Sequence, residues 1–171
     1  VNPAGIFEDF YDMYLQTRHR LGVLPYPKSF FRALFDLRDD AVVIFACRSP
    51  HGLLGYLLCY MHGHEMISGH LTYIFEQRGK RISDFLFMSA FQWGQNNGFS
   101  LYRFGADNSN QVSLIQSKQK LGAIVRPQWD FHLQQQPKSN DCPNSPVRRI
   151  IRVIPHSLFR FTGRFTNLYF G

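Results

Sequence analysis

Residues 71–98 constrain the fold of this chain more than any other stretch. Their pattern predicts a strand over residues 71–75, a short charged loop over residues 76–81 and a long helix over residues 82–97. Gly98 follows the helix directly, as expected just after a helix C-terminus. A strand joined to a helix by a short loop is typical of a small α/β or α+β domain, in which a ligand binds at the start of the helix.

The loop over residues 76–81, which we call the basic loop, carries Arg78, Lys80 and Arg81 around Gly79. A helix N-terminus leaves backbone N–H groups unpaired and carries a partial positive charge, so it favours an anion. The three side-chain charges lie at the same place and strengthen that preference. The basic loop therefore predicts a phosphate site, with a solvated surface loop as the alternative.

The rest of the chain predicts short elements on either side of this unit. Two helices come first, over residues 7–21 and from Lys28 onward. Strands are predicted over residues 41–48, 53–62, 65–69, 101–105 and 123–133, with a helix that runs through Lys120 and is capped by Asp107, Asn108, Ser109 and Asn110. This order of elements describes one compact domain with a mixed sheet.

Several side chains are expected to be buried. The long helix is apolar nearly all round, so we expect it to be sandwiched, with Met88, Phe91 and Trp93 in the core. Cys47 and Cys59 lie in apolar strands without an adjacent base, which predicts inert buried thiols.

The composition limits the class of protein. A length of 171 residues fits one domain that buries about two-thirds of its unfolded surface. No apolar run approaches the ~18 residues that span a bilayer. The three cysteines and seven histidines form no metal-ligand or disulfide pattern. We therefore expect no metal site, no tightly bound cofactor and a cytoplasmic location.

The net charge of +7 is concentrated near the C-terminus. Residues 1–136 contain 13 basic and 11 acidic side chains, whereas residues 137–171 contain six basic side chains and one acidic. We divide the chain into a folded domain (1–134), a Gln-, Pro- and Asn-rich linker (135–146) and a basic amphipathic segment (147–171). That segment either packs its apolar side chains on protein or makes peripheral contact with an anionic membrane.

The basic loop and the helix after it resemble a known motif. Residues 78–86 read Arg-Gly-Lys-Arg-Ile-Ser-Asp-Phe-Leu, which is similar to the Arg-Gly-x-Gly-x-Gly/Ala-x-x-Leu-Leu run of the GNAT acyltransferases. In that family the loop follows the fourth strand and cradles the pyrophosphate of coenzyme A. Arg81 and Ser83 stand where the family has its later glycines.

Further stretches are similar to FemAB-like proteins, which carry two GNAT-like domains. Residues 96–105 resemble their strand ending in Phe-Asp-Phe-Gly, and residues 117–131 resemble their Phe-Lys-x-x-x-Gly-Ala motif with the strand after it. Residues 11–31 and 154–171 resemble the opening and closing motifs of the C-terminal half. The resemblance implies an α/β (α+β) fold of GNAT type, with a mixed, mostly antiparallel sheet flanked by helices and a C-terminal amphipathic tail.

The resemblance also implies an activity. The chain would be an N-acyltransferase that moves an acyl or aminoacyl group onto the amine of a small molecule or peptide. Acyl-CoA or aminoacyl-tRNA would be the donor, and an upstream GNAT-like domain or a second copy of the chain would be a partner. The alternative is a non-catalytic binding or assembly module that keeps the fold.

The chemistry of N-acyl transfer indicates the candidate site residues within that resemblance. His70 or Glu76, at the two ends of the predicted strand, would take the proton from the amine. Lys118 lies where many GNAT enzymes place a tyrosine acid and would act as an accessory cation. Asp107 and Asn108 would contact the acceptor, or only cap the next helix. The donor phosphates would be bound by Gln77, Arg78, Gly79, Lys80, Arg81, Ile82 and Ser83.

Each proposed catalytic residue also has a structural alternative. His70 is otherwise a structural or surface histidine. Glu76 is otherwise a solvated residue that pairs with Arg78. Lys118 is otherwise part of a solvated helix face.

Overall fold

The structure is a computed structural model that describes residues 5–39, 41–128 and 146–170, with side chains through residue 163. The elements follow one another as α1 (Phe7–Leu21), α2 (Lys28–Asp36), β1 (Val42–Ser49), β2 (Gly52–His62), β3 (Glu65–Tyr73), a 3₁₀ helix (Phe75–Lys80), α3 (Ile82–Asn96), β4 (Leu101–Arg103), α4 (Val112–Lys120), α5 (Pro146–Val153) and α6 (His156–Phe170). The first two helices agree with the sequence prediction.

The four strands form one sheet in the order β1-β2-β3-β4. β1, β2 and β3 are antiparallel neighbours. β4 pairs with β3 in parallel, because the chain crosses over through α3 between them. This mixed, mostly antiparallel sheet with flanking helices confirms the predicted fold class.

Different helices cover the two faces of the sheet. Successive residues of a strand point to opposite faces, so Tyr56 faces one core and Leu57 the other. The first core joins the sheet to α1, α2, α5 and α6 and is rich in aromatic rings, with Phe10 and Phe31 both 0% exposed. The second core joins the sheet to α3 through side chains such as Leu86.

The central strand β3 differs from its prediction, because the strand predicted over residues 71–75 is part of a longer one that starts at Glu65. Consecutive residues of β2 pair with His70 and Ser68, so Gly69 is an extra residue in β3. A Cβ atom at Gly69 would lie 2.6 Å from the Tyr60 ring. The bulge therefore depends on glycine, and the sequence pattern, which ends one strand at residue 69 and begins the next at residue 71, does not predict it.

Helix α3 packs on the sheet with one face only. Ile82, Leu86 and Ala90 are buried at helical spacing, whereas Phe85 is 58% exposed. The prediction of a sandwiched helix is therefore wrong for the described residues, because the second layer of helices lies on the other face of the sheet.

The three predicted core residues of α3 have different surroundings. Met88 is 55% exposed, which contradicts its assignment to the core. Phe91 is half-buried with its ring centroid 4.7 Å from that of Tyr102. Trp93 is half-buried against Phe45 at 5.8 Å.

The segment after β4 also departs from the prediction. Helix α4 begins at Val112, and its N-cap residue Gln111 makes no side-chain capping hydrogen bond, so Asp107 and Asn108 do not cap it. Residues 123–128 form no strand, and the rest of the strand predicted over residues 123–133 lies outside the described residues.

Helices α5 and α6 pack on α1. Ile151 and Phe159 are 5% and 0% exposed and belong to the aromatic core. The His19 Nε2 atom lies 2.8 Å from the carbonyl oxygen of Ile154. These contacts favour the protein-packing alternative for the amphipathic segment. The predicted linker lies outside the described residues, apart from its last position.

Candidate functional site

The parallel strands β3 and β4 are paired over a short length. Their register joins Glu65, Met66 and Ile67 to residues 101–103, whereas β3 continues to Tyr73. Beyond this pairing, the outer edge of β3 presents backbone N–H and C=O groups that no described strand pairs. The sheet therefore opens at this edge, and β3 leads from the opening directly into the basic loop.

The basic loop forms most of a 3₁₀ helix and is exposed. Gly79 lies in open space, since a Cβ atom there would meet no heavy atom within 4 Å. The Oε1 atom of Gln77 is buried and has no hydrogen-bond partner within the described part of the chain. Arg78 and Lys80 are exposed, and neither forms an ion pair with a described carboxylate. Two full positive charges are thus available at this loop.

Arg81 connects the loop to α3 in a left-handed conformation, with φ 53° and ψ 40°. It is the N-cap of α3 and makes no side-chain capping hydrogen bond. Its Nε atom instead lies 2.7 Å from Asp84 Oδ2. Within the described part of the chain, no side chain caps this turn, and the first backbone N–H groups of α3 are left for solvent or a ligand.

Ile82 and Ser83, the other two residues predicted to bind the donor phosphates, lie in the first turn of α3. Ile82 is 2% exposed, and its Cγ2 atom lies 3.0 Å from the position of a Cβ at Gly55. Ser83 Oγ lies 3.5 Å from Asp84 Oδ1. The Asp84 carboxylate in the first turn stabilises the helix dipole and competes with any bound anion.

A residue that no sequence pattern indicates, Arg20 in the last turn of α1, also reaches the loop. Its guanidinium carbon lies 4.0 Å from the centroid of the Phe75 ring, and that of Arg78 lies 4.6 Å from the same centroid. No local pattern could have shown this contact, because Arg20 and Phe75 are 55 positions apart in the sequence.

His70 lies on the aromatic face of the sheet rather than in the basic loop. Its ring centroid is 4.9 Å from that of Phe31 and 5.8 Å from that of Tyr14. Burial, with the nearby positive charge of Arg18, lowers the pKa of His70 to about 4. The imidazole is therefore neutral at pH 7 and is a weak base.

Glu76 is exposed in the 3₁₀ helix. The Arg78 guanidinium lies over the Phe75 ring instead of pairing with Glu76. No hydrogen bond or ion pair joins Glu76 to His70 in the described structure. The two candidate bases are thus in different environments.

Lys118 binds the segment after β4. Its Nζ atom lies 2.7 Å from Asp107 Oδ2 and 3.3 Å from the Phe104 carbonyl oxygen. Both side chains of the ion pair are 15% exposed, so the carboxylate neutralises the lysine in a mostly buried place. Asn108 Oδ1 accepts a hydrogen bond from the Asn110 backbone N–H at 3.3 Å and forms a local turn.

Neither strand cysteine offers a nucleophile. Burial raises the pKa of the Cys59 thiol to about 12 and also raises that of Cys47. Both thiols are protonated at pH 7, which agrees with the prediction of inert buried cysteines.

Two surface clefts lie near the other end of α3. One, of about 330 Å³, is lined by residues such as His62 and Asn97. The other, of about 400 Å³, lies between α3 and β4 and is lined by residues such as Gly94 and Leu101. Neither cleft contains a predicted site residue.

No protein-family model and no curated protein matches this chain. Among solved structures, it is similar to an aminoglycoside acetyltransferase from an uncultured soil metagenomic sample in complex with sisomicin, with a TM-score of 0.58 and 12% identity over 76% of this chain and 88% of that one. A probable acetyltransferase has a TM-score of 0.58 and 20% identity over 81% and 95% of the two chains. An aminoglycoside N-acetyltransferase in complex with CoA has a TM-score of 0.50 and 15% identity over 64% and 87%.

These likenesses establish the fold. The chain has the fold of the GNAT acetyltransferases, as the motif around the basic loop implied. Within the described residues, no helix is long and apolar enough to cross a membrane.

Proposed function

We propose that this chain is an N-acyltransferase domain that takes its acyl group from a CoA-linked donor. One observation carries the proposal: Arg78 and Lys80 lack carboxylate partners in the described structure and lie between the end of β3 and the start of α3. At this place the outer edge of β3 is open, and no described side chain caps the N-terminus of α3. Such a place favours the pyrophosphate of a nucleotide-derived donor.

The solved structures with this fold support the class of reaction. Two of those described above are aminoglycoside acetyltransferases, one in complex with an aminoglycoside and one in complex with CoA. A further structure with this fold is a ribosomal-protein-alanine N-acetyltransferase, at 15% identity. Two of these structures are described as N-acetyltransferases, so we infer an amine acceptor here as well.

The reaction needs little covalent help from the protein. The neutral amine nitrogen attacks the thioester carbonyl carbon, and the tetrahedral adduct then expels the thiolate. The amine loses one proton to a base, and the thiolate takes up one proton. Holding donor and acceptor together at the open edge of β3 would supply much of the rate enhancement.

The described residues differ in how well they suit the role of base. His70 packs among the rings of Tyr14 and Phe31 on the aromatic face of the sheet, away from the basic loop. Glu76 is exposed beside the basic loop, so we favour Glu76 for proton removal, directly or through water. Lys118 is held by Asp107 and would position the segment after β4 rather than bind an anion.

A specific observation also favours a second candidate function, a non-catalytic binding module. Arg81 and Asp84 form an ion pair in the first turn of α3, the place where a donor phosphate would bind. The two candidate functions differ in one measurable property, because the module would not bind the donor.

The FemAB-like relationship and an aminoacyl-tRNA donor stay predictions from the sequence. Membrane contact, an upstream domain and a homo-oligomer also stay predictions. The CoA donor is preferred because a solved structure with this fold holds CoA.

Calorimetric titration with acetyl-CoA, a long-chain acyl-CoA and aminoacyl-tRNA tests the proposal. We expect the parent protein to bind a CoA donor and Arg78→Ala/Lys80→Ala to lose roughly a hundredfold or more in affinity, because each charge-assisted hydrogen bond contributes about 1.5–3 kcal/mol. Lys28→Ala/Arg32→Ala is the matched control. It also removes two exposed positive charges, but these pair with Glu8.

Three results would contradict the proposal. Binding of aminoacyl-tRNA alone would replace CoA as the donor. Binding of none of the three donors would favour the non-catalytic module. Equal losses in the two double variants would show that net charge, not the basic loop, determines binding.

A further inference from the structure

The ring of Phe75 is contacted by two guanidinium groups from distant parts of the chain. Arg20 belongs to the last turn of α1, and Arg78 belongs to the basic loop. Their guanidinium carbons lie 4.0 and 4.6 Å from the ring centroid. The aromatic ring thus connects the end of α1 to the loop by cation–π contacts.

The two charges act on the same small volume. Because both lie against one ring, they are closer to each other than the Debye length of about 10 Å at 0.1 M salt, so their fields add. Both side chains are exposed and accessible to a ligand.

Neither guanidinium is neutralised within the described structure. No ion pair connects Arg20 or Arg78 to a carboxylate, whereas Arg32 over the Phe7 ring pairs with Glu8. The nearby carboxylate of Asp84 forms its ion pair with Arg81 instead. Two guanidinium groups on one ring, neither of them in an ion pair with a described carboxylate, favour the binding of an anion.

We propose that Arg20 and Arg78 form an anion clamp around Phe75 and that Arg20 binds a phosphate group of the donor. This inference rests on the proposed function for the identity of the donor. It adds a specificity residue from α1, an element that the basic-loop motif does not include. Planar guanidinium groups suit this role because they bind phosphate oxygens in a bidentate manner.

Arg20 also has a purely structural role to consider. A cation in the last turn of a helix stabilises the helix dipole, and its contact with Phe75 packs α1 on the loop. The free energy of unfolding, measured beside the dissociation constants, separates the two roles, because loss of a helix-dipole or packing contact lowers it whereas loss of a phosphate-binding group does not.

The test measures the dissociation constants of CoA, dephospho-CoA and inorganic pyrophosphate for the parent, Arg20→Gln, Arg20→Lys and Arg78→Gln. Arg32→Gln is the control, since it removes an exposed arginine that also lies 4.6 Å from a Phe ring centroid. We expect Arg20→Gln to weaken CoA binding roughly ten- to a hundredfold, Arg20→Lys to weaken it less, and the control to leave it unchanged. The salt dependence of binding should also be less steep in Arg20→Gln.

The two CoA forms locate the phosphate. A larger loss for CoA than for dephospho-CoA would assign Arg20 to the 3′-phosphate, and equal losses would assign it to the pyrophosphate. Both results support the clamp. Arg20→Lys keeps the positive charge and so tests the clamp even if Arg20→Gln fails to fold.

Failure of the clamp and failure of the proposed function give different results. CoA binding that is lost in Arg78→Gln but unchanged in Arg20→Gln would overturn the clamp and leave the proposed function intact. Pyrophosphate binding that depends on Arg20, without any CoA binding by the parent, would support the clamp and overturn the CoA donor. A parent that binds neither CoA nor pyrophosphate would overturn both.

Discussion

Arg81 adopts a backbone conformation that residues other than glycine rarely adopt. Its φ of 53° lies in the left-handed region, which costs a non-glycine residue about 1–2 kcal/mol. In the motif that the basic loop resembles, this position is a glycine. A glycine at this position would adopt the conformation without that cost, and the ion pair between Arg81 and Asp84 offsets part of it.

His70 should make the stability of the protein depend on pH. In the unfolded chain its pKa is near 6.5, whereas burial lowers it to about 4 in the folded protein. Between these values the unfolded state binds more protons, so the free energy of unfolding should fall as the pH drops from 6.5 to 4, by at most roughly 3 kcal/mol.

Urea unfolding of the parent and His70→Phe at pH 7 and pH 4.5 tests this prediction. Phenylalanine keeps an aromatic ring among Tyr14 and Phe31 but cannot be protonated. We expect the variant to lose less stability than the parent at the lower pH. His51→Gln, at an exposed turn position, should behave like the parent. An identical pH dependence of parent and His70→Phe would disprove the prediction.

At the scale of elements, the bulge in β3 decides which side chains reach which core. Met66 and Ser68 precede Gly69, and Leu71 and Tyr73 follow it, so the extra residue changes the parity of the strand. Met66, Leu71 and Tyr73 all pack in the core beneath α3. Without the bulge, the residues after it would point to the aromatic face.

Gly69→Ala should therefore destabilise the protein by about 1–3 kcal/mol, the usual range for overpacking. The new methyl group would lie 2.6 Å from the Tyr60 ring and 3.1 Å from the Leu58 carbonyl oxygen. Gly79→Ala is the matched control, because its methyl group would enter open space. Chemical denaturation measures both variants, and equal stabilities would show that the bulge accommodates a side chain.

At the scale of the whole molecule, the C-terminal helices complete the aromatic core. Phe159 is 0% exposed, with its ring centroid 4.9 Å from that of His19. Gly22, which ends α1 with φ 69°, leaves room for the Arg148 carbonyl oxygen, 2.5 Å from the position of a Cβ there. The tail and the body of the domain therefore share one set of contacts.

Phe159→Ala should lower the free energy of unfolding by about 3–5 kcal/mol, because it leaves a cavity in a closed core. Leu158→Ala, at a neighbouring position that is 59% exposed, should change it by about 0.5 kcal/mol or less. Thermal and urea unfolding report both values. If the two variants were equally stable, α6 would not be part of the core in solution.

The amino-acid sequence by itself determined the fold class, the first helices, the hairpin strands and the place of the basic loop. These depend on periodicity, on turn residues and on local charge, which act over a few neighbouring positions. The resemblance of the basic loop to the GNAT motif also predicted the type of fold.

The tertiary structure alone decided which of these residues meet. Four features join parts of the chain that are separated in sequence or in strand register. They are the Gly69 bulge, the ion pair of Lys118 with Asp107, the ring cluster around His70 and the contact of Arg20 with Phe75. Burial and the distances between charges set the pKa of a histidine or the availability of an arginine, and both quantities exist only once the chain has folded.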